Sequence, residues 1–285
     1  MMALPPKPMF DIFTGTEAEA VERAKKAIGD REWAKPILAD VDANGGLVGT
    51  NMDKFFELRF GHALETAGVS PRYEVAGEGE STLDFGLISK GKPWLVELMR
   101  LNDTQAAKSA TIELEEDGMT FIKRVLASGG DDPRQSQEGE TLKTIQRICQ
   151  KFENNGKAHK FPMPEGGYHT LLVDMRNHLN GGDVYDRIHI ALATENCPEP
   201  AFRFYWDKQP ITGVFDRRTK MKGAAEARAR LHFLGFVNDR EYQEGRFGSK
   251  IDFIGNPHLF ETSELMNAAI ATWPLQPVRL INNLP

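Results

Sequence analysis

The chain has 285 residues, of which 40% are hydrophobic and 27% are charged, a composition typical of globular proteins. No apolar run reaches the roughly 18 residues that a membrane-spanning helix needs, so we expect no membrane partner. The formal net charge of −6 argues against a generic basic coat for nucleic acid, although a local basic face stays open. Two cysteines, Cys149 and Cys197, cannot form a disulfide framework, which favours a reducing cytoplasm.

The first predicted elements are two helices separated by a loop rich in Gly and Asn. Acidic residues lead and lysines follow over residues 16–28, the charge order that a helix dipole favours. A second helix is expected from about Asp53 to Ala67, because apolar residues recur there at helical spacing and Gly68 can end it. We therefore interpret residues 1–50 as an N-terminal helical extension.

Three short strands come next, and the turn-rich segments GEGES and SKGK separate them, so an antiparallel meander is expected over residues 72–76, 83–88 and 94–101. A polar, turn-rich segment occupies residues 128–140. Apolar residues on one face then predict a helix over 141–154, and a strand with an apolar centre is expected at 168–175.

The remainder of the chain alternates between predicted strands and helices. Strands are expected near 186–193, 201–206, 211–215 and 249–257, and helices near 222–235 and 261–272. The whole pattern predicts an α/β protein with a core at 51–176 and a C-terminal α/β elaboration at 177–285 packed on that core.

Two acids stand inside runs that otherwise have the pattern of buried strands. Alternation on the third strand places Glu97 between Leu95 and Met99 on one face, where a lone carboxylate is costly unless it is paired or binds a cation. If the second and third strands form a hairpin, Asp84 approaches Glu97 near its open end, and a divalent cation would relieve their repulsion. Glu57, beside the apolar stripe of the second helix, is a third candidate acid. Taken singly, each acid could equally be an ordinary solvated or ion-paired residue.

These residues resemble the PD-(D/E)XK, or restriction-endonuclease-like, superfamily, whose core is a helix, a three-strand meander, a helix and a strand. The resemblance covers roughly residues 50–176. FFELRFGHALETAG looks like the first helix with Glu57, STLDFGLI like the strand with Asp84, and WLVELMRL like the strand with Glu97. TLKTIQRICQKF followed by YHTLLVDM looks like the second helix and the fourth strand.

The resemblance implies a metal site and a hydrolytic reaction. Asp84, Glu97 and the backbone carbonyl of Leu98 would hold Mg²⁺, or Mn²⁺ in its place, while Glu57 would assist through water. Met99 departs from the pattern, because it stands where the family has a lysine. Losing one acid–base group typically costs about 10²–10⁴-fold in rate, so a weakened or abandoned catalytic site is a live alternative.

Basic residues on the predicted helix 141–154 could replace the missing lysine. Lys143, Arg147 and Lys151 recur at every fourth position, opposite the apolar face, and could also contact nucleic acid. Lys151 and Lys143 are the first candidates for the catalytic role; the bland alternative is a solvated helix face.

The sequence therefore leads to three functional hypotheses, the third of which is an unrelated α/β enzyme in which these acids are structural. The first is a nuclease that uses a divalent metal to hydrolyse phosphodiester bonds, with DNA as the expected nucleic acid. The second is the same fold kept as a non-catalytic module that binds nucleic acid or protein. A homodimer would suit cleavage of both strands of a duplex.

Overall fold

A seven-stranded mixed sheet with helices on both faces forms the centre of the molecule, so the predicted α/β class is confirmed. In the computed structural model, the described residues are 15–116, 119–124, 126, 136–178, 181–192, 211–238, 247 and 250–281.

The seven strands lie side by side in an order that follows the chain. They are β1 (Arg72–Ala76), β2 (Thr82–Ser89), β3 (Lys92–Arg100), β8 (Tyr168–Asp174), β9 (Phe233–Val237), β10 (Ile251–Gly255) and β11 (Val278–Ile281). The first three strands form an antiparallel meander. β8 then lies parallel to β3, which requires a crossover connection, and β9 lies parallel to β8. The sheet continues through antiparallel β10 to parallel β11.

The helices are distributed over the two faces of this sheet. They are α1 (Gly15–Ile28), α2 (Lys35–Ala43), α3 (Met52–Thr66), α4 (Gln105–Ser109), α5 (Gln137–Gln150), α6 (Val184–Ala191), α7 (Ala224–Arg230) and α8 (Ser263–Ile270). Residues of α1, α2, α3 and α8 share one hydrophobic core with the sheet, and residues of α5, α6 and α7 share another. Among the described helices, none is long and apolar enough to cross a membrane.

The strand β3 divides its side chains between the two cores, as a pleated strand must. Val96 and Leu98 are buried in the core shared with α3, which we call the α3 face. Met99 and Leu101 are buried in the core shared with α5, which we call the α5 face. Glu97 therefore projects toward the α5 face, and it does so from the middle of a buried strand.

Two helix boundaries differ from the sequence prediction. The helix predicted at 141–154 is α5, which begins four residues earlier because the hydroxyl of Ser136 caps it by accepting the N–H of Gly139 at 3.0 Å. It ends at Gln150, since the chain turns there into the short hairpin of β6 (Glu153–Asn154) and β7 (Lys157–Ala158). Residues 128–135 of the polar segment lie outside the described residues.

The strand prediction at 186–193 was wrong, because the segment forms helix α6. Asp183 accepts the N–H groups of Tyr185 and Asp186, and the carboxylate of Asp186 accepts the N–H of Asp183 in return. This reciprocal capping box outweighs the strand preference of the β-branched residues that follow.

Two further C-terminal predictions need correction. Residues 211–215 are not a strand of the sheet, because Gly213 and Val214 donate their N–H groups at 2.8 Å to carbonyls at the end of α6. The helix predicted at 222–235 ends at Arg230, and its second half is β9, whose aromatic and branched side chains are buried between β8 and β10. The predicted strand at 201–206 lies outside the described residues.

Several elements were not predicted. They are α2, the short helix α4, the hairpin of β4 (Thr111–Glu116) with β5 (Met119–Arg124), the β6–β7 hairpin and the edge strand β11. The C-terminal strands β9 to β11 extend the sheet that β1, β2, β3 and β8 begin, so residues on both sides of position 176 share one sheet. The three-segment division proposed from the sequence stays a prediction.

Candidate active site

An open cleft of about 540 Å³ lies where β3 approaches its carboxyl end, between α3 and α5. Its lining combines four acids with four basic residues: Asp53, Phe56, Glu57, Asp84, Glu97, Leu98, Met99, Arg100, Asn102, Arg147, Gln150, Lys151 and Lys160. The structure thus brings Glu57, Asp84, Glu97, Leu98 and Lys151, all singled out in the sequence, to one cavity.

The hairpin of β2 and β3 places Asp84 beside Glu97. Phe85 pairs with Val96, and in an antiparallel ladder the next pair along the same register is Asp84 with Glu97. Asp84 and Glu97 are thus the next residues beyond this pair on each strand, and both line the cleft.

The neighbouring strand is distorted at the level of Asp84. Tyr73 and Phe85 pair and belong to the α3 face, whereas the next pair, Val75 and Leu83, belongs to the α5 face. Glu74, which lies between these pairs, has a positive φ of 50°. A residue other than glycine in this conformation is strained, and such strain is concentrated at functional sites. The edge of the sheet therefore changes face next to Asp84.

A backbone hydrogen bond holds the Asp84 carboxylate at the strand β3. The N–H of Leu98 donates to Asp84 Oδ2 at 2.6 Å. Burial, and then repulsion by Glu97 and Glu57, raise the pKa of Asp84 to about 7, although the Leu98 N–H and Lys160 oppose this rise. A cation beside such a carboxyl would favour its ionised form, because its charge offsets both the cost of burial and the repulsion by Glu97 and Glu57.

Glu97 is almost completely buried, and its two oxygens have different surroundings. Oε1 accepts from Lys151 Nζ at 2.9 Å and lies 3.0 Å from Lys160 Nζ. Oε2 is buried, and no hydrogen-bond partner for it is found among the described residues. A buried carboxylate oxygen without a partner is costly, so this atom is a candidate ligand for a cation or a water.

Lys160 was not singled out in the sequence. It follows the β6–β7 hairpin, and the β1–β2 turn holds its backbone: its carbonyl accepts the N–H of Glu78 at 2.7 Å and its N–H donates to Ser81 Oγ at 3.0 Å. Gly77 permits this approach, since a Cβ there would lie 2.3 Å from the Lys160 carbonyl oxygen. Sequence periodicity carries no trace of this contact, because it joins two turns about 80 residues apart.

Lys151 is positioned by the end of α5, where it is the C-cap residue. Gly223 packs against this helix end, and a Cβ at this glycine would lie 2.0 Å from the carbonyl oxygen of Cys149. Burial alone would lower the pKa of Lys151, but the carboxylates of Glu97 and Asp84 raise it above its ordinary value. The ammonium therefore remains charged beside Glu97.

Glu57 lies on α3 at the other wall of the cleft. Its Oε2 accepts from the hydroxyl of Tyr73 at 2.6 Å and from Lys54 Nζ at 3.1 Å. Burial raises the pKa of Glu57, while Tyr73 and Lys54 oppose that rise. Because one oxygen already has two donors, Glu57 is suited to orient a water rather than to bind a metal directly.

The predicted basic stripe on α5 is divided by the structure. Arg147 and Lys151 line the cleft together with Gln150, and Arg147 also donates to the carbonyl of Asn102 at 2.9 Å. Lys143 is not among the residues that line this cleft, and its ammonium lies 3.0 Å from Glu140 Oε1. The end of α5 that carries Lys151 is therefore the part that could meet a phosphate.

Two other residues discussed from the sequence have clear positions. Met99 is 7% exposed and packs in the α5-face core, so it contributes apolar surface to the cleft floor. Arg100 also lines the cleft, and its guanidinium lies 3.7 Å from Asp53 and 3.9 Å from Asp174.

The cleft offers Mg²⁺ few protein ligands, and water would have to complete its coordination. Within the described ranges, no three His, Cys, Asp or Glu side chains form a group that could hold a metal ion. Asp84 and Glu97 are two carboxylates, however, and Mg²⁺ commonly takes one or two carboxylates and keeps several waters. The unpartnered Glu97 Oε2 provides one such ligand. The carbonyl of Leu98 as a further ligand stays a prediction.

Comparison with models of protein families, with curated proteins and with solved structures found no match for this chain. The function must therefore be argued from the cleft itself.

Proposed function

We propose that this chain is a divalent-metal-dependent nuclease with a restriction-endonuclease-like core. The observation that carries the proposal is the buried, unpartnered Oε2 of Glu97 beside Asp84, in a cleft that Arg147, Lys151 and Lys160 also line. Anionic ligands with free coordination positions, surrounded by cations, suit a metal that bridges the protein to a phosphate.

The order of elements supports the same proposal. Helix α3, the meander of β1, β2 and β3, helix α5 and the parallel strand β8 occur in the order that the PD-(D/E)XK resemblance implies. Asp84 comes from the second strand of the meander and Glu97 from the third, while Glu57 comes from the preceding helix.

The protein groups would divide the work of hydrolysis. Asp84 and Glu97 would hold Mg²⁺ or Mn²⁺, which supplies Lewis acidity that activates water and stabilises charge on the scissile phosphate. Glu57 would orient a water, and Arg147 with Gln150 would contact the phosphate backbone of the substrate. Lys151 would supply the positive charge that the family places at the position of Met99.

DNA remains the expected substrate, and a homodimer would allow both strands to be cut. A cytoplasmic location rests on the cysteine content: Cys149 is a buried free thiol, and Cys197 lies outside the described residues. The substrate, the oligomeric state and the location stay predictions, because the geometry of the cleft bears on none of them.

A second candidate function is a non-catalytic module that binds nucleic acid. It is favoured by the two lysines at Glu97 Oε1, which already neutralise part of the acidic charge without a metal, and by Met99 in the core. This candidate requires binding without any metal-dependent cleavage.

The deciding experiment is cleavage of plasmid DNA, single-stranded DNA and RNA in Mg²⁺, Mn²⁺ or EDTA by the wild type and Asp84→Ala. We expect cleavage that depends on metal and falls about 10²–10⁴-fold in the variant. Lys157→Met, an exposed lysine on β7, is the matched surface control. Binding of nucleic acid without cleavage under every condition would favour the second candidate.

A further inference from the structure

Glu97 Oε1 has two ammonium groups beside it. A divalent cation at the proposed site would place further positive charge next to them. Lys151 and Lys160 both lie within 3.0 Å of this one oxygen, while Asp84 and Glu97 supply the negative charge at the proposed ligand positions. A divalent cation added at Glu97 Oε2 would repel both ammonium groups across a few ångströms of partly buried space. This repulsion would favour the departure of one lysine from Glu97 when a cation binds.

The contacts of Lys160 show that it is the fixed one. Its ammonium also donates to the carbonyl of Thr82 at 2.8 Å, so it has a second acceptor besides Glu97. Its backbone is bonded to Glu78 and Ser81, and its side chain is 19% exposed. Moving its ammonium would break the hydrogen bond to Thr82 as well as the contact with Glu97, on a backbone that the β1–β2 turn holds in place.

The contacts of Lys151 are fewer. Among the described residues its ammonium has one hydrogen bond, to Glu97 Oε1, and its side chain is 34% exposed. It extends from the last turn of α5, next to Gln150 and one turn from Arg147, both of which line the cleft. Released from Glu97, its ammonium remains in the part of the cleft where a phosphate would lie.

We propose that the two lysines have different roles: Lys160 is the permanent counter-ion that positions the Glu97 carboxylate, and Lys151 is an exchangeable one. Lys151 occupies the charge position while no divalent cation is bound, and it turns to the substrate phosphate when one binds. This inference rests on the proposed function, because it requires a cation at Asp84 and Glu97. It assigns Lys160 as a positioning residue and Lys151 as a residue that contacts substrate.

The test measures metal affinity directly. Calorimetric titration of the full chain with Mn²⁺ and with Mg²⁺ would compare the wild type, Lys151→Met, Lys160→Met and the exposed control Lys157→Met. Removing a competing cation should tighten metal binding by Lys151→Met at least about fivefold, the low end of measured coupling between sites. Removing the group that orients a ligand should weaken metal binding by Lys160→Met about 10–100-fold.

A structural role alone cannot produce this opposite pair of shifts. Thermal melting of each variant checks that the fold survives, and Lys151→Gln serves as a second neutral variant with the same expected sign. Cleavage by Lys151→Met should fall although its metal affinity rises, while Lys160→Arg should restore affinity toward that of the wild type.

The outcomes separate this inference from the proposal on which it depends. Metal binding that is unchanged or weakened in Lys151→Met overturns the exchange of lysines and leaves the nuclease proposal standing. A failure of the wild type to bind Mn²⁺ or Mg²⁺, with no difference from Asp84→Ala, overturns both.

Discussion

Two buried carboxylates of the same sheet, Glu97 on β3 and Asp252 on β10, have opposite surroundings. Asp252 is 0% exposed, and both of its oxygens are paired: Arg279 donates to each, and Arg187 also donates to Oδ2. Glu97 is 1% exposed, yet Oε2 has no partner among the described residues and Oε1 has two lysines. Two equally buried carboxylates thus differ in how many of their oxygens have a hydrogen-bond partner.

The kind of cation also distinguishes the two acids. Arg279 holds Asp252 with the planar fork that suits a carboxylate, and it lies directly opposite Asp252 in the β10–β11 ladder. Glu97 is paired with lysines, which are compact charges on flexible stems and can turn toward solvent. The first arrangement is closed and structural, whereas the second leaves coordination positions that another ligand can take.

The largest expected effect is a contrast between two variants, one of which should lose stability while the other loses cleavage activity. Asp252→Asn removes the charge that Arg187, 14% exposed, and Arg279, 41% exposed, share, so its free energy of unfolding should fall by about 1–3 kcal/mol. Glu97→Gln frees two lysines that can reach water, so its loss should stay near or below about 1 kcal/mol, while cleavage falls about 10²–10⁴-fold. Urea unfolding and the cleavage assay measure the two effects; equal losses of stability would break the comparison.

A second test uses the pH dependence of stability to examine three buried histidines that do not line the cleft. Burial lowers the pKa of His169, His178 and His232 to about 4, below their ordinary value of 6.5. As pH falls, these histidines therefore bind protons in the unfolded chain before they do so in the folded one. The stability that they contribute is complete above pH 6.5 and declines toward pH 4. Each histidine contributes a slope of about 1.4 kcal/mol per pH unit.

Urea unfolding at pH 7.5, 6.0 and 5.0 measures this slope. The variant His178→Gln keeps a side chain that can bond to Thr144, and its stability should lack the slope that His178 contributes, about 1.4 kcal/mol per pH unit. The raised pKa values of Asp84, about 7, and Asp186, about 6, give slopes of the opposite sign in both proteins. A difference in free energy of unfolding between the wild type and His178→Gln that stays constant over this pH range would show that His178 is not held neutral.

The smallest expected effect is that of a lysine at position 99, where the PD-(D/E)XK superfamily that the sequence resembles has one. Because Lys151 and Lys160 already lie beside Glu97, Met99→Lys should change the cleavage rate by less than about tenfold, well below the usual contribution of an acid–base group. Met99→Leu controls for the loss of the thioether. A rise of several hundredfold in Met99→Lys would mean that neither lysine replaces the missing one.

The core of the fold was predictable from local patterns. The alternation in β2 and β3 and the apolar stripe of α3 depend on neighbouring residues, and these elements occur close to their expected bounds. The errors at α6 and β9 have a different origin. The capping box of Asp183 fixes one, and the pairing of β9 between β8 and β10 fixes the other. Neither the cap nor that long-range pairing was recognised in the sequence.

The cleft was predictable only in part for a similar reason. Asp84 and Glu97 stand on adjacent strands of one hairpin, so their proximity follows from the turn between them. Lys160 is 63 positions beyond Glu97 and belongs to an irregular turn, so its approach depends on packing that no periodicity encodes. Helix α5 placed Lys151 in the cleft and Lys143 outside it through the position of its last turn.

The hydrogen bond from the Leu98 N–H to Asp84 Oδ2 makes the backbone a spectroscopic reporter of the cleft. At 2.6 Å this amide proton is strongly polarised by the carboxylate, and its nuclear resonance should lie far downfield. Neutralising Asp84 by a proton, or drawing its charge toward a bound cation, would move that resonance upfield. One peak of an isotope-labelled sample would therefore follow occupancy of the cleft without any substrate present.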